Sequence, residues 1–256
     1  MLAAVNVQVV FVHGIRTSRT MWLSQQAHLD ERGIRSVALD LPGHGATLGN
    51  PFAIGEALAA VDSAVRTAAL DGPVLLVGHS MGGLLALSVA GSEDPPPIAG
   101  IVAASCTAFP RGAALRAYRL LAGAMNALPG RGSWLTKRVL AATLPIETRD
   151  HFGAGGYAYD AQDAALSSLV SLDLTAALGR IRVPLWYVNG QWDQLRVNEA
   201  QFLQLTPHAE LIVVPRTTHL VTAMRPGVFN AVLELAAASI VAHEREGTIS
   251  RPEPDY

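Results

Sequence analysis

The sequence predicts an α/β fold, in which a mostly parallel sheet of six strands has helices on both faces. Short continuous apolar runs recur along the chain, which is the pattern of strands buried on both sides. Segments with helical spacing separate these runs; one of them, 58–68, ends at the turn-forming Asp71-Gly72-Pro73. Strand and helix therefore alternate. The predicted strands are 7–12, 36–39, 74–77, 98–104, 184–188 and 211–214.

This alternation also predicts where a ligand binds. In parallel sheets of this kind, the crevice lies outside the carboxyl ends of the strands. Every chemically informative motif of the chain falls at such an end. We therefore expect the functional residues to gather along one edge of the sheet.

Size and composition bound the class of protein. Half of the 256 residues are hydrophobic and 16% are charged, which fits one large domain. A net charge of -2 provides no basic field for nucleic acid, and no stretch approaches the roughly 20 apolar residues of a membrane span. Cys106 is the single cysteine, so no intramolecular disulfide can form. With no signal-peptide pattern, we expect a cytoplasmic protein; its oligomeric state stays open.

The stretch between the fourth and fifth predicted strands breaks the rhythm. It lacks a strand pattern but has helical patterns at 115–128, 134–144 and 161–178. An insertion leaving the sheet at this point would cover the crevice as a lid and exclude water; an ordinary surface excursion is the alternative. We expect a core of 1–109 and 179–243, a helical cap of 110–178 and a flexible polar tail of 244–256.

The strongest chemical signal is Gly78-His79-Ser80-Met81-Gly82, which follows an apolar strand and precedes an apolar helical run. This G-x-S-x-G pattern is a nucleophile elbow, a sharp strand-to-helix turn that exposes a serine hydroxyl. Glycines flank the serine because the turn leaves no room for side chains. The pattern predicts Ser80 as a nucleophile.

A serine hydroxyl needs a histidine to take its proton and a carboxylate to orient that histidine. Of eight histidines, His219 alone follows the final predicted strand, and Asp193 comes just past the penultimate one. The order serine, acid, histidine is the one expected for this elbow. We therefore predict a triad of Ser80, Asp193 and His219, whereas His13, His44 and His79 are expected to make structural hydrogen bonds in tight turns.

The loop after the first strand, His13-Gly14-Ile15-Arg16, should supply the second oxyanion donor. We expect the backbone N–H groups of Ile15 and Met81 to form the hole, with an adjacent loop amide as the alternative. Arg16 and Arg19 follow; they are either solvated loop arginines or partners of an acidic substrate group. The side chains expected near the substrate are Arg16, Trp22, Cys106, Trp134, Trp192 and Leu220. The alternatives are a buried Cys106 thiol that packs as a small hydrophobe and aromatic residues that form the core of the lid.

The chain resembles the α/β-hydrolase superfamily over nearly its full length. The residues that carry the resemblance are H-G at 13–14, D-L-P-G-H-G at 40–45, G-H-S-M-G-G at 78–83, Asp193 and His219. F-V-H-G near residue 11, Trp22 and H-L-V-T-A-M-R-P at 219–226 are similar to the small plant methylesterase and hydroxynitrile lyase group. The resemblance implies the α/β-hydrolase fold, here trimmed to six strands because the superfamily's opening hairpin has no room before the first strand.

These residues predict a serine hydrolase that cleaves a small or medium hydrophobic carboxylic ester through an acyl-enzyme on Ser80. The aromatic residues of the cap, Tyr118, Trp134, Phe152 and Tyr157, favour such a substrate. The same triad also serves thioesterases, lactonases, C–C hydrolases and hydroxynitrile lyases, and a non-catalytic receptor is a further alternative. No metal-ligand spacing, phosphate loop or dinucleotide fingerprint occurs, so we expect neither metal nor cofactor.

Overall fold

A computed structural model describes residues 6–249, except for the side chains of 113, 114, 117, 118, 121, 125 and 247–249. One sheet runs through it, and every neighbouring pair of strands is parallel. The predicted six-stranded sheet is confirmed. The strands are β1 (Gln8–Val12), β2 (Arg35–Leu39), β3 (Val74–His79), β4 (Ile98–Ala104), β5 (Leu185–Gly190) and β6 (Glu210–Val214), in the order β2-β1-β3-β4-β5-β6.

Eleven α-helices connect or follow these strands within the described residues. Those before β4 are α1 (Leu23–Asp30), α2 (Ile54–Ala68) and α3 (Met81–Ala90). Those between β4 and β5 are α4 (Gly112–Asn126), α5 (Ser133–Thr143), α6 (Ile146–Gly153), α7 (Gln162–Ser168) and α8 (Leu174–Arg180). The last are α9 (Glu199–Leu205), α10 (Val221–Met224) and α11 (Pro226–Ile249).

Alternate residues of each inner strand belong to opposite hydrophobic cores, as the two-residue period of a strand requires. Val10 and Leu76 face a core that includes α2, α3, α8 and α9. Val9 and Leu75 face a core that includes α1, α10 and α11. Helices therefore cover both faces of the sheet, as predicted from the continuous apolar runs.

The two edge strands depart from the expectation of six doubly buried strands. Several residues of β2 and β6 are half-buried or exposed, and Val37 and Val213 are open to solvent. Each edge strand has only one neighbour, so helices need not cover it fully. The apolar residues of an edge strand therefore reflect β propensity as well as burial.

The last helix, α11, differs from the sequence expectation in two ways. Its residues Pro226–Glu246 form the one described helix that is long and apolar enough by composition to span a membrane, whereas the sequence analysis expects no stretch of that length. Phe229, Leu233 and Ile240 of this helix are buried against the sheet, so its apolar character is that of a core helix. The helix also continues through 244–249, which we had assigned to the tail; residues 250–256 lie outside the described part.

Helices α4 to α7 occupy the segment predicted as a cap. The segment contacts the loop after β1: the Ala158 amide donates to the Arg16 carbonyl, and the Gly155 amide donates to Thr20 Oγ1. On another side, Thr148 Oγ1 donates to the Ala223 carbonyl of α10. Helix α6 was not predicted, because Ile146–Gly153 has little amphipathic pattern and forms where it docks on these core segments.

Helix α8 lies in the core and not in the cap. Leu174 and Leu178 are fully buried in the same core as α3, and Ala177 closely contacts Gly91 at the end of α3. The sequence boundary at 178 therefore falls within a helix of the core. We propose residue 172, just before α8, as the end of the cap.

Candidate active site

Ser80 lies at the turn between β3 and α3, in a backbone conformation that residues other than glycine rarely adopt. Its φ is 54° and its ψ is −118°. A Cβ on Gly78 would collide with the Gly82 backbone, and a Cβ on Gly82 would collide with the carbonyls of Val12 and His13. The turn therefore requires glycine at both positions, and this close packing holds the strained serine in place.

The order of the strands explains why this turn is accessible. The chain passes from β1 to β2 on one side and returns to β3 on the other, so connections diverge beside β1 and β3. A crevice opens at such a point, outside the carboxyl ends of the strands. The loop after β1, which contains Gly14 and Ile15, and Ser80 after β3 border this crevice.

Three side chains form a continuous hydrogen-bonded chain at this edge. His219 Nε2 lies 2.9 Å from Ser80 Oγ. On the other side of the ring, His219 Nδ1 lies 3.1 Å from Asp193 Oδ1 and 3.2 Å from Oδ2. With a proton on Nδ1 donated to the carboxylate, Nε2 is free to accept the serine proton. The structure thus brings together the three residues predicted from the sequence.

The Asp193 carboxylate is fully buried behind the histidine. Burial acts to raise the pKa of this carboxyl, but hydrogen bonds from His219 and from the Leu195 amide outweigh burial and hold the pKa below its ordinary value. Asp193 is therefore ionised at neutral pH. An ionised carboxylate fixes the histidine tautomer and stabilises the imidazolium that forms when the serine loses its proton.

An ion pair and two amide hydrogen bonds brace the loop that carries Asp193. Arg196 Nε and Nη2 each lie 2.7 Å from an oxygen of Glu199. Asn189, in β5, donates through Nδ2 to Glu199 Oε2 at 2.7 Å and to Thr107 Oγ1 at 2.8 Å. The network ties the acid's loop to β5 and to the segment after β4. No sequence motif pointed to it.

The two histidines that border the serine have structural hydrogen bonds. His79 Nε2 donates to the carbonyl oxygen of His219 at 2.8 Å, which anchors the base's loop to the elbow. His13 Nε2 accepts from the Leu41 amide, and its Nδ1 donates to the Gly14 carbonyl. Burial, followed by the charge of neighbouring histidines, lowers the pKa of His13 to about 3 and that of His79 to about 4. Both rings are therefore neutral at neutral pH.

Ser80 lines two chambers. The first, which we call the apolar chamber, has a volume of about 530 Å³ counted out to solvent. Apart from Ser80, nonpolar residues line it: Ile15, Met81, Leu84, Ala108, Phe109, Pro110, Leu115, Leu166, Leu169 and Leu195. Leu115 of α4 and Leu166 of α7, both in the segment predicted as a cap, thus line the same chamber as Ser80.

The second, which we call the polar chamber, has a volume of about 1070 Å³ on the same basis. It shares Ile15 and Ser80 with the first and also contains His219. Its other lining residues are Gly14, Arg16, Thr17, His79, Thr136, Val139, Leu140, Phe152, Tyr157, Gln194, His219 and Leu220. Of the residues predicted near the substrate, Arg16 and Leu220 lie here, together with the cap aromatics Phe152 and Tyr157.

The other pocket predictions are corrected. Trp22 is fully buried in the core, and the centre of its ring lies 4.7 Å from that of Phe11. This large side chain therefore contributes to core packing. Cys106 is buried between β4 and α3, and its Sγ faces Gly83. Burial raises the pKa of this thiol strongly, which makes it inert. Neither side chain lines a chamber.

The two other tryptophans predicted near the substrate, Trp134 and Trp192, point to solvent. Trp134 on α5 is 56% exposed, and Trp192, next to Asp193 in the chain, is 61% exposed. Neither tryptophan lines the apolar or the polar chamber. A position close to the site in sequence therefore does not fix the direction of a side chain. The side chain of Tyr118 lies outside the described residues. Sequence reasoning missed Leu84, Phe109 and Leu166, whose only signal was apolar character in segments bordering the crevice.

Ile15 and Met81 line the apolar chamber together with Ser80, and their backbone N–H groups have no acceptor among residues 6–249. Met81 is the first residue of α3, where a free amide and the positive end of the helix dipole coincide. Within the same described range, no group of three or more His, Cys, Asp or Glu side chains is arranged to hold a metal ion. The site thus offers a nucleophile, a base and two free donors.

Comparison with protein families matches residues 9–232 to a model described as the alpha/beta hydrolase family. The chain belongs to this family. A comparison with curated proteins found no match. The fold of this α/β hydrolase, with its parallel sheet and surrounding helices, is the one that the sequence resemblance implied.

Solved structures with the same fold cover almost the entire hydrolase chain. An esterase from Thermogutta terrifontis is 20% identical, with a TM-score of 0.71 over 93% of this chain and 91% of that one. E-2-(acetamidomethylene)succinate hydrolase is 22% identical, with a TM-score of 0.73 over 91% and 92%. A thioesterase domain from the curacin biosynthetic pathway is 22% identical, with a TM-score of 0.66 over 89% and 90%. At these identities the similarity establishes the fold alone.

Proposed function

We propose that this α/β hydrolase is a serine carboxylesterase that acts on small or medium hydrophobic esters and requires neither metal nor cofactor. The observation that carries the proposal is the Ser80–His219–Asp193 chain of hydrogen bonds at the mouth of an apolar chamber. Esterase structures among those with the same fold are consistent with it. We further propose that it acts in the cytoplasm.

In the first half of the reaction, Ser80 Oγ attacks the acyl carbon while His219 Nε2 takes the hydroxyl proton. The carbonyl oxygen becomes an oxyanion, for which we assign the free amides of Ile15 and Met81 as donors. The C–O bond to the leaving alcohol then breaks, and His219 returns its proton to that alcohol. The product is an ester between Ser80 and the acyl group.

In the second half, water attacks the same acyl carbon and gives a proton to His219. The bond to Ser80 Oγ breaks, and the proton passes from His219 to the serine oxygen. The carboxylic acid leaves and the enzyme is restored. Asp193 stays ionised throughout because its low pKa favours the charged form.

The two chambers suggest how an ester is oriented. The leaving alcohol must take its proton from His219, which lines the polar chamber and not the apolar one. We therefore assign the alcohol part to the polar chamber and the acyl part to the apolar chamber. The apolar chamber then sets the acyl-chain preference through residues such as Leu84, Phe109 and Leu166.

The proposal is tested by hydrolysis of p-nitrophenyl esters and acyl thioesters of increasing chain length by the wild type and Ser80→Ala. We expect ester hydrolysis by the wild type and a loss of at least about 10³-fold in kcat in the variant, since the nucleophile is gone. Ser92→Ala is the matched control, because Ser92 lies at the end of α3 away from both chambers.

Different outcomes separate the alternatives. A strong preference for thioesters over esters of the same acyl chain would replace the carboxylesterase proposal with a thioesterase. Absence of turnover on every ester and thioester by folded wild type would contradict both. C–C, nitrile or receptor functions of the same triad would then be examined.

A further inference from the structure

The polar chamber carries a positive charge that nothing in the described protein neutralises. Arg16 lines this chamber together with Ser80 and His219. No hydrogen bond or ion pair to its guanidinium is found among residues 6–249, and its Nη2 atom is buried without an acceptor. A buried, unpaired cationic donor is unfavourable unless an anion or another acceptor meets it.

Two neighbouring arginines, unlike Arg16, are paired with carboxylates. Arg19, on the same loop, pairs with Asp40 at 3.5 Å. Arg131, whose guanidinium lies over the same Tyr159 ring, pairs with Asp160 at 2.6 Å. Arg16 lies over the Tyr159 ring at 4.6 Å but has no carboxylate partner in the described chain.

The backbone of Arg16, and not only its side chain, contacts the cap. The backbone carbonyl of Arg16 accepts a hydrogen bond from the Ala158 amide, which links the loop to the cap. The aromatic ring supports the guanidinium from one face, and such stacking leaves its edge donors available for a planar anion. The side chain is thus held in the chamber while its hydrogen-bonding capacity is unused.

The residues that line the polar chamber also favour an anionic ligand. None of its lining residues in the described structure is an aspartate or glutamate, and Asp193 lies behind His219. Thr17, Tyr157 and Gln194 add polar groups to the wall. An anionic substituent here would meet a cation and polar groups without a repelling carboxylate.

We propose that Arg16 binds an anionic group, such as a carboxylate, on the alcohol part of the substrate. This inference rests on the proposed function, and it refines the substrate from a hydrophobic ester to one with an apolar acyl group and an acidic alcohol. Arg16 is then a specificity-determining residue. The hydrolysis product in the polar chamber would be a hydroxy acid.

The test compares two chromogenic esters with the same acyl group, 4-nitrophenyl butanoate and 3-carboxy-4-nitrophenyl butanoate. The ratio of their kcat/KM values is measured for the wild type, Arg16→Gln, Arg16→Lys and Arg19→Gln. Any difference in intrinsic leaving-group reactivity cancels when these ratios are compared between proteins. We expect Arg16→Gln to lower the preference for the carboxylate ester by about 10- to 100-fold, as expected for a lost charge-assisted hydrogen bond.

Arg16→Lys should retain part of the preference, and Arg19→Gln should match the wild type because its paired side chain lies outside the chamber. An unchanged ratio in Arg16→Gln would overturn the proposal. An equal loss on both esters would also overturn it, because that result would mean that Arg16 only supports the oxyanion loop.

A binding measurement keeps this inference separate from the esterase proposal. Thermal stabilisation by 5-hydroxy-2-nitrobenzoate, the acidic alcohol of the second ester, is compared with stabilisation by 4-nitrophenol. Greater stabilisation by the acid in the wild type, lost in Arg16→Gln, supports the anion site even if neither ester is hydrolysed. Equal stabilisation by the two phenols in the wild type contradicts it, whether or not esters are hydrolysed.

Discussion

Strained backbone conformations in this hydrolase gather at the edge of the sheet that carries the site. Four of the five described non-glycine residues with positive φ come after a strand: Arg16 after β1, Ser80 after β3, Ser105 after β4 and Arg216 after β6. Each such conformation costs on the order of 1–3 kcal/mol and persists only where its surroundings impose it. Arg16 and Ser80 both line the polar chamber, so strain here coincides with the residues to which we assign binding and chemistry.

The role of the acid can be tested at the same scale. Asp193→Asn should preserve the fold but lower kcat by about 10³- to 10⁴-fold. An amide at this position can donate to His219 Nδ1 and so favour the tautomer in which Nε2 carries the proton. Nε2 could then no longer accept the proton of Ser80. Ester hydrolysis by the purified variant measures the effect.

Asp163→Asn, an exposed change at the start of α7, serves as the control and should retain activity. Circular dichroism of both variants checks that the fold is kept. Near wild-type kcat in a folded Asp193→Asn protein would contradict the assigned role of the acid.

Site residues could be predicted from the sequence where the backbone topology alone sets their position. Ser80 belongs to a local turn motif, and Asp193 and His219 follow strands in a fixed order, so their approach follows from the topology. Trp22 and Trp192 lie near the crevice in sequence, but one enters the core and the other points to solvent. Side-chain direction depends on tertiary packing, which periodicity does not reveal.

Among the elements, the junction of β3, Ser80 and α3 leaves no space for a side chain at Gly82. A single methyl group on Gly82 would collide with the backbone carbonyls of Val12 and His13. Gly82→Ala should therefore displace α3 from β1, lower the free energy of unfolding by roughly 1–3 kcal/mol and strongly reduce activity. Urea denaturation and ester hydrolysis report the two effects.

Gly55→Ala is a matched substitution, since Gly55 lies in the first turn of α2 with no neighbouring atom within 4 Å of an added methyl group. It should leave activity unchanged and be neutral or stabilising, because alanine favours a helix more than glycine does. If both substitutions had the same effect, the close packing assigned to the elbow would be wrong.

Elements with strong periodicity were predictable, and those formed by docking were not. All six strands were found as apolar runs. Helix α6 has little amphipathic pattern and packs on the loop after β1, while α8 continues the cap in sequence but joins the core through Leu174 and Leu178. Packing decides such cases, because short helices gain most of their stability from tertiary contacts.

For the molecule as a whole, buried neutral histidines link stability to pH. Burial lowers the pKa of His13 from 6.5 to about 3 and that of His79 from 6.5 to about 4. Below pH 6.5 the unfolded chain binds protons at these positions and the folded protein does not. The free energy of unfolding should therefore fall as pH decreases from 7 to 5, by about 1–2 kcal/mol for each of the two residues.

Urea denaturation at pH 7 and pH 5 measures this change for the wild type and for His13→Gln. The amide of glutamine has an NH2 group that donates and an oxygen that accepts, so it can replace both hydrogen bonds of the neutral imidazole, but it does not titrate. We expect the difference between the two pH values to shrink by about 1–2 kcal/mol in this variant. His243→Gln, an exposed change near the end of α11, should leave the difference unchanged; an undiminished difference in His13→Gln would argue against the burial-induced shift.

The bond between Ser80 and His219 joins positions 139 residues apart, and the His79 contact with the same loop spans 140. During synthesis, therefore, a nascent chain with a complete elbow still has an unactivated serine until β6 and the loop after it have left the ribosome and docked. If the triad acts as proposed, enzymatic activity requires completion of the fold. A fragment that ends before residue 219 has the proposed nucleophile but lacks the proposed base.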